Sequence, residues 1–215
     1  MTYWQIRFFI CVITIIFLRE GFAQKVKITF TATHKNKFLL EQCKFYLSDF
    51  SLIHGTQSIY QEKDSVHLIN LLDTEKNYIE IPYHKLTETS AVEFGIGVDS
   101  ATHWNGIKGG DLDPINGMYW TWQTGYINFK LEAKKSEEKS ERKTEYHIGG
   151  FIHPFNSFKK VNIKLPTNQR KDLVICFDTD KFLSSVQEEI PESVMTPGKK
   201  SMRIAEIYST CFQIE

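Results

Sequence analysis

Apolar and polar residues alternate with a period of two through most of the chain after residue 23. In the first such run, residues 25–32, every second residue is apolar and those between are Lys or Thr. This period predicts short strands with one buried face, and turn residues separate the runs. The other predicted strands are 44–53, 66–69, 79–83, 92–98, 126–131, 146–152, 161–165, 172–177 and one near Phe212. The fold class they indicate is all-β, an antiparallel β-sandwich.

Three segments depart from this alternation. Residues 180–189 and 201–208 carry apolar residues at helical spacing, so one or two short helices are expected beside the sheets. Residues 133–145 are almost entirely charged, with both signs well mixed. Such a segment cannot order itself by burial, and we expect a solvated loop or hairpin tip there.

The N-terminal segment predicts a cleaved secretory signal. A short start ends at Arg7, residues 8–18 form an apolar run, and small residues precede a cleavage point after Ala23. The run is shorter than the roughly 20 residues of a membrane span, and an uncleaved anchor is the alternative. Residues 1–23 are therefore predicted as signal peptide and 24–215 as one exported domain, periplasmic or secreted. No stable membrane association is expected after cleavage.

The charge of this domain argues against two classes of partner. Setting aside Arg7, Arg19 and Glu20 leaves 24 of the 26 basic and 25 of the 26 acidic residues, a net charge near −1. A nucleic-acid-binding domain carries a basic patch or stripe, which this composition does not indicate. An anionic membrane surface is equally unexpected as a partner.

Three cysteines, Cys43, Cys176 and Cys211, remain in the predicted domain. In an oxidising compartment one disulfide is possible, and the odd number leaves one thiol over. None forms a close pair such as CxxC, so a cysteine zinc site is not expected. Cys176 lies in an apolar run and is predicted as a small core residue.

Residues 109–126 are the most unusual segment of the chain. They hold two tryptophans, two tyrosines and four glycines in eighteen positions. Aromatic side chains at this density form either a packing layer or the wall of a site. The glycines indicate tight turns or close backbone approach. Asp111 and Asp113 lack the further oxygen ligands of a calcium loop and are more typical of turn capping.

Histidines are the residues best placed for chemistry. No nucleophile motif and no glycine-rich phosphate loop is present, so an enzyme is not expected. His34 follows the first strand, His103 precedes the aromatic segment, and His147 lies in the strand 146–152. Imidazole suits copper and zinc. Each of the three could equally be a hydrogen-bonded, partly buried histidine, and the sequence does not show which histidines meet.

Four segments, in this order, resemble the MbnP-like copper-binding family, named for a methanobactin-associated periplasmic protein. The segments are residues 44–52, 93–99, 112–126 and 146–150. The block Met-Tyr-Trp-Thr-Trp-Gln-Thr-Gly-Tyr followed by His-Ile-Gly-Gly is the most specific part of the match. The form of the matches is similar to that of Bacteroidetes-type members.

The resemblance implies an exported β-sandwich that binds or stores copper and is not itself an enzyme. It implies His34 and His147 as metal ligands, and His103, in a variable loop, as a further candidate. It also implies Trp120 or Trp122 as the precursor of a kynurenine made by a partner di-haem protein related to MauG. The indole nitrogen of tryptophan only donates a hydrogen bond, whereas kynurenine offers lone pairs to a metal.

Further residues follow from the same resemblance. Asp111, Asp113 and Asn116 are candidates to hydrogen-bond the ligand imidazoles and set their tautomers. The chain departs from the family where Met-Phe near the C-terminus reads Cys211-Phe212, which puts a sulfur ligand from that end in doubt.

Two other functions stay open. A carbohydrate-binding or adhesive sandwich would stack Trp104, Trp120 and Trp122 on sugar rings, which requires an exposed tryptophan. A metal-free structural family member would use the tryptophans as core residues. The copper interpretation requires one of Trp120 and Trp122 to face His34 and His147, whereas a core layer would point both into the sandwich.

Overall fold

The computed structural model describes residues 24–33, 38–63, 65–120, 124–136, 143–166 and 172–215. The predicted signal peptide lies outside these residues. The described strands are β1 Lys25–Thr33, β2 Phe38–His54, β3 Gln57–Gln61, β4 Val66–Asn70, β5 Tyr78–Pro82, β6 Ala91–Ile96, β7 Ile127–Lys135, β8 Lys143–Gly149, β9 Lys159–Lys164, β10 Leu173–Asp178 and β11 Phe212–Ile214. The helices are α1 Tyr83–Leu86, α2 Ser100–Trp104, α3 Thr179–Glu189 and α4 Lys199–Ser209, with 3-10 turns at Gly110–Leu112 and Pro114–Asn116.

The strands form two sheets, which confirms the all-β prediction. The smaller sheet has the order β11-β10-β1-β5, and the larger runs β8-β7-β2-β6-β9 with β3 and β4 paired to β2. The strand pairs are antiparallel except β1 and β10, which run parallel. The two predicted helices are present as α3 and α4. Strand β3, the short helices α1 and α2 and the two 3-10 turns were not predicted.

The main core lies between the sheets, where aromatic rings of both meet. Phe30 of β1 contacts Phe45 of β2 and Phe94 of β6 edge-on, with centroids 5.7 and 5.8 Å apart. Phe177 of β10 packs 5.3 Å from Phe129 of β7. Residues of α3 and α4 join the same cluster. Aromatic pairs at these separations stabilise a fold beyond the area they bury, so this layer holds the sandwich together.

The two ends of the charged segment 133–145 extend strands β7 and β8, where a solvated loop or hairpin tip was predicted. The two strands stay paired as far as Lys134 opposite Lys143. Both lysines form ion pairs with Glu41 of β2, Lys134 at 2.7 Å. These side chains are partly exposed, so the pairs add little to stability. Residues 137–142, the middle of the predicted loop, lie outside the described residues.

All three cysteines of the predicted domain are buried and unbonded. The disulfide that the sequence allowed is therefore absent, and Cys176 is the core residue it was predicted to be. Among the described helices, none combines the length and apolarity that crossing a membrane requires.

Candidate functional site

The aromatic segment covers the outer face of the larger sheet, opposite the main core. Successive strand residues point to opposite faces, and Phe45 and Ile69 belong to the main core. Their neighbours Tyr46 and Leu68 instead join a second apolar cluster. The other members of that cluster are Val98, Leu112, Met118, Tyr126 and Ile127, with Val66, Tyr119 and Trp120 packed partly buried against it.

Polar side chains of this segment build the loop itself. Asp111 Oδ2 accepts a 2.9 Å hydrogen bond from Leu68 N, which ties the loop to β4. Asp113 caps the turn Pro114–Asn116 by accepting from Ile115 N. The Asn116 side-chain nitrogen donates to Gly110 O at 3.0 Å.

These contacts bear on one set of predictions but leave it untested for His34, which lies outside the described residues. Asp111, Asp113 and Asn116 were candidates to orient ligand histidines, but in the described structure none of them hydrogen-bonds a histidine. They bond their own loop or β4 because Asp and Asn in turns readily satisfy nearby backbone groups.

Trp120 lies on the outer face, beside β8. Its backbone N donates to Gly125 O at 3.1 Å. Its partly buried ring lies over Gly149, where an added β-carbon would come within 2.7 Å of Cζ3. Residues 147 and 149 share one face of β8, about 7 Å apart at the usual strand rise. Trp120 therefore stands on the same face as His147 and outside the core between the sheets.

Two of the predicted site residues, His34 and Trp122, lie outside the described residues. Trp120 shares the face of β8 with His147, and the condition that a tryptophan face both His34 and His147 stays a prediction.

His147 is held by a buried carboxylate. Its Nε2 lies 2.9 Å from Oε1 of Glu132, which is only 7% exposed although it lies on the outer face. Lys130 Nζ approaches the same oxygen at 3.4 Å, and the Gln42 side-chain nitrogen donates to Oε2 at 3.3 Å. Burial lowers the pKa of His147 and the bond to Glu132 opposes that shift. Burial thus favours the neutral ring, the state that binds metals.

A third side chain approaches this pair. In the β7–β8 register, Glu145 lies opposite Glu132, and His147 lies opposite Lys130. One ligand-type atom from each of Glu132, Glu145 and His147 lies within 4.8 Å of the others. These atoms lie near enough to share one cation, but both oxygens of Glu132 already face protein donors.

His103 occupies a different environment. It is 6% exposed, stacks on Phe151 with centroids 4.3 Å apart, and its Nδ1 accepts from Tyr126 N at 3.2 Å. Burial lowers its pKa to about 4, against the opposing influence of Asp99 and Asn128. Because Nδ1 already accepts a hydrogen bond, the proton of the neutral ring is on Nε2, which is buried without a partner of good geometry.

This arrangement separates His103 from the predicted ligand set. Neither of its nitrogens offers a free lone pair, and the described side chains that could converge on a metal do not include it. It matches the alternative stated for all three histidines, a hydrogen-bonded buried residue.

Trp104, the remaining tryptophan of the described residues, is 71% exposed. Its ring meets Phe151 edge-on at 5.3 Å. An exposed indole is the feature that the carbohydrate-binding alternative requires, so Trp104 keeps that alternative open.

Comparisons with known proteins agree with this architecture. A family model described as MbnP matches residues 16–196. Among solved structures, MbnP from Methylosinus trichosporium superposes with a TM-score of 0.51 at 14% identity, covering 75% of this chain and 78% of that chain. At this identity the likeness shows the fold alone. A comparison with curated proteins found no match.

Proposed function

Because the chain belongs to the MbnP family, we propose that it is an exported protein that binds or stores copper on the outer face of its larger sheet. The observation that carries the proposal is the placement of Trp120 over Gly149, on the same face as His147. An oxidisable aromatic residue and a neutral imidazole share one partly buried surface. Neither residue is part of the core between the sheets.

The chemistry of the donors suits copper. Neutral imidazole is a common copper ligand, and burial lowers the pKa of His147, which favours that form. His34, predicted from the resemblance, supplies a second imidazole in this proposal. His103 is left out, because its Nδ1 accepts a backbone hydrogen bond and its Nε2 is buried.

Trp120 as translated offers copper no lone pair, so the proposal includes its modification, or that of Trp122, to kynurenine. A partner di-haem protein of the MauG type would use two equivalents of hydrogen peroxide, each of which gives one oxygen atom to the indole and leaves as water. The two oxygen atoms split the C2–C3 bond of the indole to N-formylkynurenine, and water then releases formate. The product carries an aryl amine and a ketone, both with lone pairs.

The test is a copper titration of residues 24–215, produced with and without the di-haem partner. We expect copper to be retained and His147→Ala to weaken Cu(I) binding at least about tenfold. His84→Ala is the matched control, since His84 is exposed on α1. Peptide mass spectrometry locates any kynurenine. If no copper is retained and His147→Ala equals His84→Ala, the chain is a metal-free member of its family.

Trp104 supports a second candidate function, carbohydrate binding, because its indole is largely exposed. Sugar rings stack on such a surface through their apolar faces. A calorimetric screen against oligosaccharides, with Trp104→Ala as the loss variant, decides it. Binding that survives Trp104→Ala would contradict this alternative.

A further inference from the structure

We propose that Glu132 is the positioning residue of the copper site and that it presents Nδ1 of His147, and not Nε2, to the metal. This inference rests on the proposed function for the identity of the metal. The orientation and tautomer that Glu132 gives to His147 are properties of the metal-free protein and can be tested without copper.

The burial of Glu132 is the first observation. A carboxylate withdrawn from water is costly unless it is paired and hydrogen-bonded. Glu132 lies on the outer face of the sheet, where a charged side chain would ordinarily reach solvent, and yet it is 7% exposed. Three donors surround it: His147 at 2.9 Å, Gln42 at 3.3 Å and Lys130 at 3.4 Å.

The shortest of these contacts sets the state of the imidazole. An ionised carboxylate only accepts hydrogen bonds, so the nitrogen of His147 that faces it must carry the proton. That nitrogen is Nε2. In the neutral ring the lone pair is then on Nδ1, for which the described residues provide no hydrogen-bond partner. Metal-binding histidines are commonly held in this way, with the second nitrogen donating to a carboxylate.

The remaining contacts keep Glu132 in an orienting role. Lys130 lies at the oxygen that His147 contacts, and Gln42 occupies the other oxygen. Both oxygens are therefore engaged by protein donors, and the charge of Lys130 offsets that of the carboxylate. Of Glu132 and His147, the residue with a lone pair still available is therefore His147, on Nδ1.

The strand register puts His147 between Glu132 and the tryptophan. Glu132 lies opposite Glu145, two positions before His147 on β8. Gly149, over which the Trp120 ring lies, is two positions after His147. The carboxylate therefore holds the imidazole from one side, and the candidate for kynurenine formation lies on the other.

The decisive measurement is the tautomer of His147 in metal-free protein 24–215. Long-range ¹H–¹⁵N spectra of histidine-labelled protein at pH 7.5 distinguish the two tautomers, and His147→Asn assigns the signals. We expect the Nε2–H form in the native protein and in Glu132→Gln, whose amide oxygen still accepts the bond. Glu132→Ala should give a mixture. Glu145→Gln is the matched control, since it removes a carboxylate from the same face and leaves the hydrogen bond intact.

The copper arm uses the same variants, after thermal unfolding shows that each is folded. Glu132→Ala should weaken Cu(I) binding by about 10- to 100-fold, and Glu132→Gln should recover most of that loss. An Nδ1–H tautomer in the native protein, or unchanged spectra in Glu132→Ala, overturns the positioning role.

The two proposals fail in different ways. If Glu132→Ala binds copper as tightly as the native protein while His147→Ala does not, copper binding stands and the role of Glu132 falls. If the tautomer depends on Glu132 but no variant binds copper, the proposed function falls, and the assignment of Nδ1 as a copper ligand falls with it.

Discussion

The ring of Trp120 lies so close to Gly149 that a β-carbon on Gly149 would come within 2.7 Å of ring atom Cζ3. A glycine inside a strand often marks such a close approach. The contact joins the two most specific segments of the sequence, the tryptophan block and the His-Ile-Gly-Gly that ends β8. It explains physically why the second segment needs a small residue two positions after His147.

Gly149→Ala should displace Trp120 from the face of β8. The backbone at Gly149 is compatible with a side chain, so the expected cost is steric, since the β-carbon would meet both the Trp120 ring and Tyr126 O at 2.7 Å. It should be about 1–3 kcal/mol of unfolding free energy, as for other overpacked sites. Tryptophan fluorescence should shift toward that of an exposed indole. If Trp120 is the oxidised residue, the yield of kynurenine with the di-haem partner should fall as well.

Gly109→Ala is the control for this variant. Gly109 has a φ of −86° and open space where a β-carbon would lie, so alanine there should leave stability and fluorescence unchanged. Equal stability and identical spectra for the two variants would mean that Trp120 does not rest on Gly149.

The buried His103 should make the protein sensitive to mild acid. Its pKa is lowered to about 4 in the fold by burial, against about 6.5 in an unfolded chain. Between these values the unfolded state binds more protons, so stability is full above pH 6.5 and is lost as pH falls toward 4. From pH 7 to pH 5 the loss attributable to His103 is about 2 kcal/mol.

Urea unfolding at pH 7 and pH 5 measures this loss. In His103→Asn the side-chain oxygen can replace Nδ1 as acceptor from Tyr126 N and does not titrate in this range. The variant should be less stable than the native protein at pH 7 but should lose about 2 kcal/mol less on acidification. The same pH dependence in both proteins would show that His103 is not the group responsible.

Much of the fold could be predicted because burial on one face leaves a period of two in the sequence. The strands of both sheets except β3, and the helices α3 and α4, follow from that pattern and from helical spacing. The parallel pairing of β1 with β10 could not be predicted in this way. Alternation shows that a face is buried, but not which distant strand lies alongside.

The site was less predictable, since its parts depend on register. Glu132 occupies a polar position of β7 that alternation assigns to solvent, and in the fold His147, Gln42 and Lys130 surround it. The register of β7 and β8 places His147 opposite Lys130, two positions from Glu132 on the same face, and so brings the imidazole to the carboxylate. The sequence does not show this register. His103, conversely, looked like a ligand candidate in sequence, and its bond to Tyr126 N becomes visible only in the fold.

The three buried cysteines should remain reduced in the folded protein. Burial raises the pKa of Cys43 and of Cys211, which lowers the thiolate fraction available for reaction. A thiol reagent should modify native protein 24–215 slowly. In denaturant without reductant, it should modify all three cysteines, Cys176 included. Only one reactive thiol after unfolding would show that a disulfide forms where the fold has none.

Gly125→Ala should destabilise the fold by more than the cost of a left-handed backbone conformation alone. Gly125 has a φ of +73°, and a β-carbon there would lie 2.4 Å from Nδ1 of His103. Left-handed backbone costs a residue with a side chain about 1–2 kcal/mol, and forcing the imidazole aside adds a steric cost of about 1–3 kcal/mol.

Gly117 provides the comparison, because it has nearly the same φ of +71° with open space around it. Gly117→Ala should therefore show the conformational cost alone. Urea unfolding at pH 7 measures both variants, and the amide signal of Tyr126 should move in Gly125→Ala only. Equal destabilisation by the two substitutions would contradict the close packing of His103 against this turn.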